Sequence, residues 1–107
     1  MNKVNLIGRL TANPEITYTS NNIAKTRFTV AVNRNYTNSN GEREADFITV
    51  VAWKKTAELI CEYFKKGSQI GISGSIRTGS YEDNEGNKKY TIEVILEDFN
   101  FLDSKKD

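Results

Sequence analysis

The chain of 107 residues has no histidine and one cysteine, Cys61. One cysteine makes no internal disulfide, and without histidine or a second cysteine a zinc site lacks a ligand set. General acid–base chemistry would fall to carboxylates, lysines or tyrosines, and the acids are spread through loops and strand edges with no recognisable pairing. No catalytic residue, metal or cofactor is therefore expected, and Cys61 is expected to be a buried helix residue. The sequence has no apolar run long enough to span a bilayer, and its N-terminus, MNKVNLIGRL, lacks the apolar region of a signal peptide. A soluble, intracellular protein without a membrane partner is expected. A large charge of one sign is also missing. Fifteen basic against fourteen acidic residues remove the inference to nucleic acid that a strongly basic isoelectric point would carry. There is no Gly-rich phosphate loop either: GISGSIRTG spaces its glycines through a strand pattern, where they suit close packing or barrel curvature.

What is present is period-two alternation. Val4, Leu6, Gly8 and Leu10; Phe28, Val30 and Val32; Ile48, Val50 and Ala52; Ile70, Ile72, Gly74 and Ile76; and Tyr90, Ile92, Val94 and Leu96 define five strands. Turn residues separate them: Ser20-Asn21-Asn22, Asn38-Ser39-Asn40-Gly41 and Asp83-Asn84-Glu85-Gly86-Asn87, the last two reading as hairpin tips. Between the third and fourth strands, Ala57, Leu59, Ile60, Tyr63 and Phe64 recur at helical spacing. Thr56 is placed to N-cap this helix of about ten residues, and Lys65-Lys66-Gly67 to end it, with the lysines complementing the helix dipole. The β-β-β-α-β order predicts an all-β fold with one helix: a five-stranded Greek-key barrel of the OB type, the helix lying between strands three and four. A plain antiparallel sheet crossed by a helix is the structural alternative. One domain is expected over residues 1–103, with a short polar end at 104–107.

On the third strand, Ile48, Val50 and Ala52 take one face, so Phe47, Thr49, Val51 and Trp53 take the other. Both faces cannot belong to one small core. The second is either a ligand surface or is buried by another subunit, and the lysines that follow at once, Lys54 and Lys55, favour the ligand. Tyr36 and Tyr81 stand where turns begin. Together with Arg34, Lys54, Lys55 and Arg77, the four aromatics make a surface for stacking bases and holding phosphates. Lys25 and Arg27, opposite Phe28, read as solvated. Lys88 and Lys89 are offset by Glu82, Asp83 and Glu85. Residues 97–107 hold four acids and two lysines, leaving 13 basic against 10 acidic residues in the remainder. That excess steers an anion only if it is clustered. Two rival readings remain: a protein-interaction domain whose aromatic face is a subunit seam, and a metal-dependent nuclease using Glu42, Glu44 and Asp46.

The segments VNLIGRLTANPEITYT, FTVAVNRNYTNSNGEREADFITVVAW and YFKKGSQIGISGSIRTGSYEDNEGNKKYTIEV resemble the bacterial single-stranded DNA-binding protein family, in order and spacing, from Met1 to about Leu102. The resemblance implies an OB fold that assembles as a homotetramer and coats single-stranded DNA with little sequence preference. It implies a role in replication, recombination and repair, without enzymatic activity, in a bacterial or phage-encoded cytoplasmic protein associated with the nucleoid. Carried over by position, the family's stacking aromatics fall on Tyr36, Phe47, Trp53 and Tyr81. Its phosphate-contacting cations fall on Lys3, Lys55, Lys66 and Arg77, with Arg34 and Lys54 added by proximity.

The chain departs from the family in four ways. Tyr or Phe stands at three stacking positions where many members carry Trp. Asn22 replaces a turn glycine and is the next best residue for a positive φ. Gly79 stands where relatives often carry a basic residue. The chain ends at LDSKKD, where family members continue into a flexible linker and an acidic tip that recruits replication and repair proteins. A truncated protein or a short, phage-encoded member is expected, and recruitment through that tip is not assigned to these residues.

Overall fold

Alternation of apolar and polar residues builds a sheet that has to curl to cover its apolar side. The computed structural model describes residues 1–102 and shows how it does so. The elements are β1 (Val4–Leu10), β2 (Ile16–Tyr18), β3 (Ala24–Thr37), β4 (Arg43–Trp53), α1 (Lys54–Tyr63), β5 (Gln69–Glu82) and β6 (Lys88–Phe101). The sheet runs β1-β5-β6-β4-β3-β2, and β1 also pairs with β3 through Arg9↔Ala31 and Leu10↔Val30. That last pairing closes β1, β5, β6, β4 and β3 into a five-stranded barrel, the expected OB arrangement. The polar end expected at 104–107 lies outside the described residues.

The inner face is the one the alternation marked. Leu10, Phe28, Val30, Val50, Ala52, Ile70, Ile72, Val94 and Leu96 are buried together, joined by Ala57 and Ile60 from α1 and by Phe64 just past its end. Each large side chain buried in this way contributes about 1.5–3 kcal/mol. Thr26 is buried among them and keeps its hydroxyl satisfied by donating to the Glu15 carbonyl at 2.9 Å. Two glycines mark crossings where strands come too close for a side chain. A Cβ on Gly8 would lie 2.6 Å from the Ala31 carbonyl oxygen, where β1 meets β3. One on Gly74 would overlap the Ile95 carbonyl oxygen at the bulge where the β5–β6 register shifts.

Several expectations need correction. Ile16–Tyr18 forms a sixth strand, paired with Thr26–Ala24 of β3; three residues are too short for alternation to reveal. The helix begins at Lys54, with Trp53 as N-cap and no side-chain cap bond, so Thr56 lies inside it. It ends at Tyr63 with Phe64 as C-cap, so Lys65 and Lys66 follow the helix and its last turn holds no basic residue. Cys61 is half-buried rather than buried. Ile76, Tyr90 and Ile92 continue the apolar alternation but are exposed, because β5 and β6 run past the barrel as a two-stranded arm.

The turns behave as their residues require. Asn22 has φ +64, as a replacement for a turn glycine should. Both long hairpins close on the same device: the Asn38 side-chain oxygen accepts from the N–H groups of Asn40 and Glu42 at 3.0 and 2.9 Å. Asp83 accepts from those of Glu85 and Asn87, both at 2.9 Å.

Candidate nucleic-acid interface

With Val50 and Ala52 in the core, β4 sends Phe47, Thr49, Val51 and Trp53 to the outside of the barrel. In register beside them on β3 are Ala31, Thr29, Arg27 and Lys25. Phe47 is 68% exposed and Trp53 is half-buried. The Lys25 ammonium stands 5.0 Å from the centre of the Trp53 ring, a cation–π contact worth about 0.5–1 kcal/mol at an exposed site. The sequence alone marks Lys25 only as a solvated residue. Its alternation with Phe28 gave its face, but only the Lys25↔Trp53 register brings it to the tryptophan.

Val51 departs from the expected stripe, since only 2% of it is exposed. Its neighbours explain this. Arg27 lies opposite it on β3 and Ile95 beside it on β6, and the Arg27 guanidinium bridges to Glu93 at 2.7 Å, reaching across β4. The chain thus covers the middle of its own outer face. Phe47 is left at one end and the Trp53–Lys25 pair at the other.

The pairing carries this face onto β5. Ile95 lies beside Val51, and alternate residues Glu93 and Lys89 of β6 pair with Arg77 and Tyr81. Arg77 and the exposed Tyr81 therefore share the outer side with Phe47 and Trp53. Tyr36 is exposed on the β3–β4 arm, in the stretch between Asn33 and Thr37 where the register shifts. Lys54 and Lys55 are exposed at the turn from Trp53 into α1, and Lys54 takes the left-handed φ of +59. Such a φ costs an L-residue roughly 1–2 kcal/mol, so the chain holds a strained joint beside its tryptophan.

The other three expected cations are placed differently. Lys66 is exposed in the loop after α1, at the far end of the helix from Trp53, its N–H donating to Asn13 Oδ1 at 2.8 Å. Lys3 bridges to Glu97 at 2.9 Å. Arg34 donates from Nη2 and Nε to Asp46, at 2.8 Å in the shortest bond, and from Nη1 to Glu44 at 3.1 Å. The hydrogen bond from Arg34 holds the Asp46 carboxyl below the usual carboxylate range, desolvation opposes it, and the Arg34 charge adds to it. The same bond raises the guanidinium further above its already high value. Two of the three acids considered for a magnesium ion are thus directed at Arg34. Among the described residues no group of histidine, cysteine or acids is arranged to hold a metal, and no helix is long and apolar enough to cross a membrane.

Comparison with known proteins gives one family. The model of the single-strand binding protein family matches residues 1–102. Single-stranded DNA-binding protein 2 of Listeria monocytogenes is 50% identical over 105 residues, covering 98% of this chain and 66% of that protein. The single-stranded DNA-binding protein of Halalkalibacterium halodurans is 50% identical over 105 residues, covering 98% of this chain and 62% of its own length. The chain thus spans just under two thirds of these two relatives. Single-stranded DNA-binding protein 1 of Clostridium acetobutylicum is 50% identical over 110 residues, covering 100% of this chain and 98% of that protein.

Proposed function

The chain belongs to the single-strand binding protein family, and on that premise we propose that it binds single-stranded DNA with little sequence preference, as a binding module without catalytic chemistry. The observation that carries this reading is the outer face of β4, where a largely exposed Phe47 and a Trp53 under a lysine ammonium flank a region the chain covers for itself. A long-range field from Lys54, Lys55 and Arg77 captures the phosphates, and bases then settle on Phe47, Trp53, Tyr36 and Tyr81. Each stacked base contributes about 1–3 kcal/mol, and every base has the required π-face. At Trp53 the base exchanges for Lys25, whose ammonium turns to a phosphate. Arg34 and Lys3 join only by exchanging their carboxylate partners for phosphates.

Assembly uses a different surface. β1 pairs with β5 from Val4 to Arg9, but with β3 only at Arg9 and Leu10. Most of its second edge is therefore open to a copy of the chain, which supports a homo-oligomer and, with the family, a homotetramer. Val51 is already covered by Arg27 and Glu93, which weighs against the outer face of β4 being the subunit seam. The cellular role that fits is coating of exposed strands in the cytoplasm during replication, recombination and repair.

The test is a titration of Trp53 fluorescence with oligo(dT), at low and high salt, against a matching duplex. Quenching by the single strand, weakened by salt and absent with duplex, is the expected result. No quenching together with no binding would refute it. A Trp53→Ala chain that loses its oligomer while each folded subunit keeps its DNA affinity would assign the face to a subunit seam instead.

A further inference from the structure

Tyr90 is 77% exposed, more than any other aromatic residue described. It lies on the arm of β5 and β6, on the side opposite Tyr81: Tyr81 pairs with Lys89, and Tyr90 is the next residue along β6. Two residues on, Ile92 is also largely exposed, and Ile76 beside it partly so. The Lys88 ammonium stands 5.7 Å from the Tyr90 ring centre, and this pair and Lys25–Trp53 are the two cation–π pairs among the described residues. A lysine over an accessible ring thus occurs twice, once on each side of the sheet.

A route joins the two sides. β4 and β6 pair only at Val50↔Val94 and Val51↔Ile95. Towards Phe47 on one strand and Ile92 on the other they part, leaving a mainly apolar cleft of about 280 Å³ whose lining includes Phe47, Ile48, Ile76, Ile92 and Val94, with the acid Glu93 among them. Phe47, from the outer stripe of β4, and Ile92, two residues from Tyr90 on β6, both line it.

We infer that Tyr90, with Lys88, is a further base-stacking position, reached by a strand that passes from Phe47 through the cleft onto the inner side of the arm. The inference rests on the binding reading above and extends it. A base stacks on the accessible face of Tyr90, Ile92 contacts the neighbouring sugar or base edge, and Lys88 turns from the ring to a phosphate. Glu82 pairs with Lys88 across the arm, so the position is not a strong phosphate site, and its contribution comes mainly from the ring.

The test compares wild type, Tyr90→Ala and Tyr90→Phe by Trp53 fluorescence. One ligand is an oligo(dT) of about four nucleotides, the lower end of what one OB barrel covers, which fills the outer face without passing through the cleft, and the other is long poly(dT). Tyr90→Ala should bind the long strand about tenfold more weakly, within the range for loss of one stacked base. It should bind the short strand as wild type does, and Tyr90→Phe should match wild type on both. Photocrosslinking of 5-iododeoxyuridine strands should place an adduct on Tyr90. Equal affinity of wild type and Tyr90→Ala for the long strand, or adducts confined to Tyr36, Phe47, Trp53 and Tyr81, would overturn the inference and leave the binding reading intact. A Tyr90→Ala chain with a smaller sedimenting mass and unchanged DNA affinity would assign Tyr90 to contact between copies and also overturn it. A wild-type chain that takes up neither strand overturns the binding reading, and this inference with it.

Discussion

Replacing Gly74 with alanine adds one methyl group where two backbones already touch. Gly74 pairs with Val4 of β1 on one side and Leu96 of β6 on the other, next to the bulge that follows Ser73. A Cβ there would overlap the Ile95 carbonyl oxygen and stand 3.0 Å from its carbonyl carbon and 3.1 Å from Val94 Cγ1. Carbon–oxygen contacts across a sheet settle near 3.3–3.6 Å, so the strands would have to part by about 1 Å. No rotamer change relieves the overlap, because the obstacle is main chain. The movement strains pairing on both sides of β5, so the cost belongs at the upper end of overpacking penalties, about 3 kcal/mol. For a domain of this size that lowers the melting midpoint by roughly 12–24 °C. Gly71→Ala is the control: its Cβ would meet Leu102 Cδ1 at 3.4 Å and Asn100 Cβ at 3.6 Å, which is ordinary contact. Its midpoint should stay within the few degrees that about 1 kcal/mol produces. Both are read by far-ultraviolet circular dichroism at matched protein concentration, since assembly makes the midpoint concentration-dependent. A Gly74→Ala chain that melts with wild type and with Gly71→Ala would refute the steric reasoning.

Two further predictions concern charge. If Lys55 contacts a phosphate, Lys55→Ala should reduce the slope of log affinity for oligo(dT) against log salt by about 0.7; an unchanged slope in a salt series of fluorescence titrations removes Lys55 from the binding surface. Because Arg34 holds the Asp46 carboxyl below its unfolded value of about 3.9, the stabilisation from that pair is present above about pH 4 and is lost as pH falls through the lowered value. The gap in melting midpoint between wild type and Asp46→Asn should therefore close as the pH is lowered below about 4, and a gap that persists or widens in acid would show that the pair is not its source.

Local sequence by itself determined the barrel's inner face. A residue that alternates on a strand has only two directions available, so Val50 and Ala52 going inward already placed Phe47, Thr49, Val51 and Trp53 outside. Turn chemistry at Asn22, Asn38 and Asp83 likewise acts within a few residues and was legible without a fold. The family was legible as well, because its segments hold their order and spacing along the chain.

Tertiary structure alone decided which residues on a given face are free to act. Lys25 reaches Trp53, and Arg27 reaches across β4 to Glu93 to cover Val51, because of the β3–β4 register and the short parallel pairing of β4 with β6. Arg34 is held by Asp46 and Glu44 because they lie across the same hairpin. Tyr90 and Ile92 carry the same alternation as Val94 and Leu96, yet they remain in solvent because the arm outruns the barrel. Alternation states which side a residue takes, whereas burial and pairing depend on what other strands bring to that side, and that is settled only when residues distant in the chain come into register.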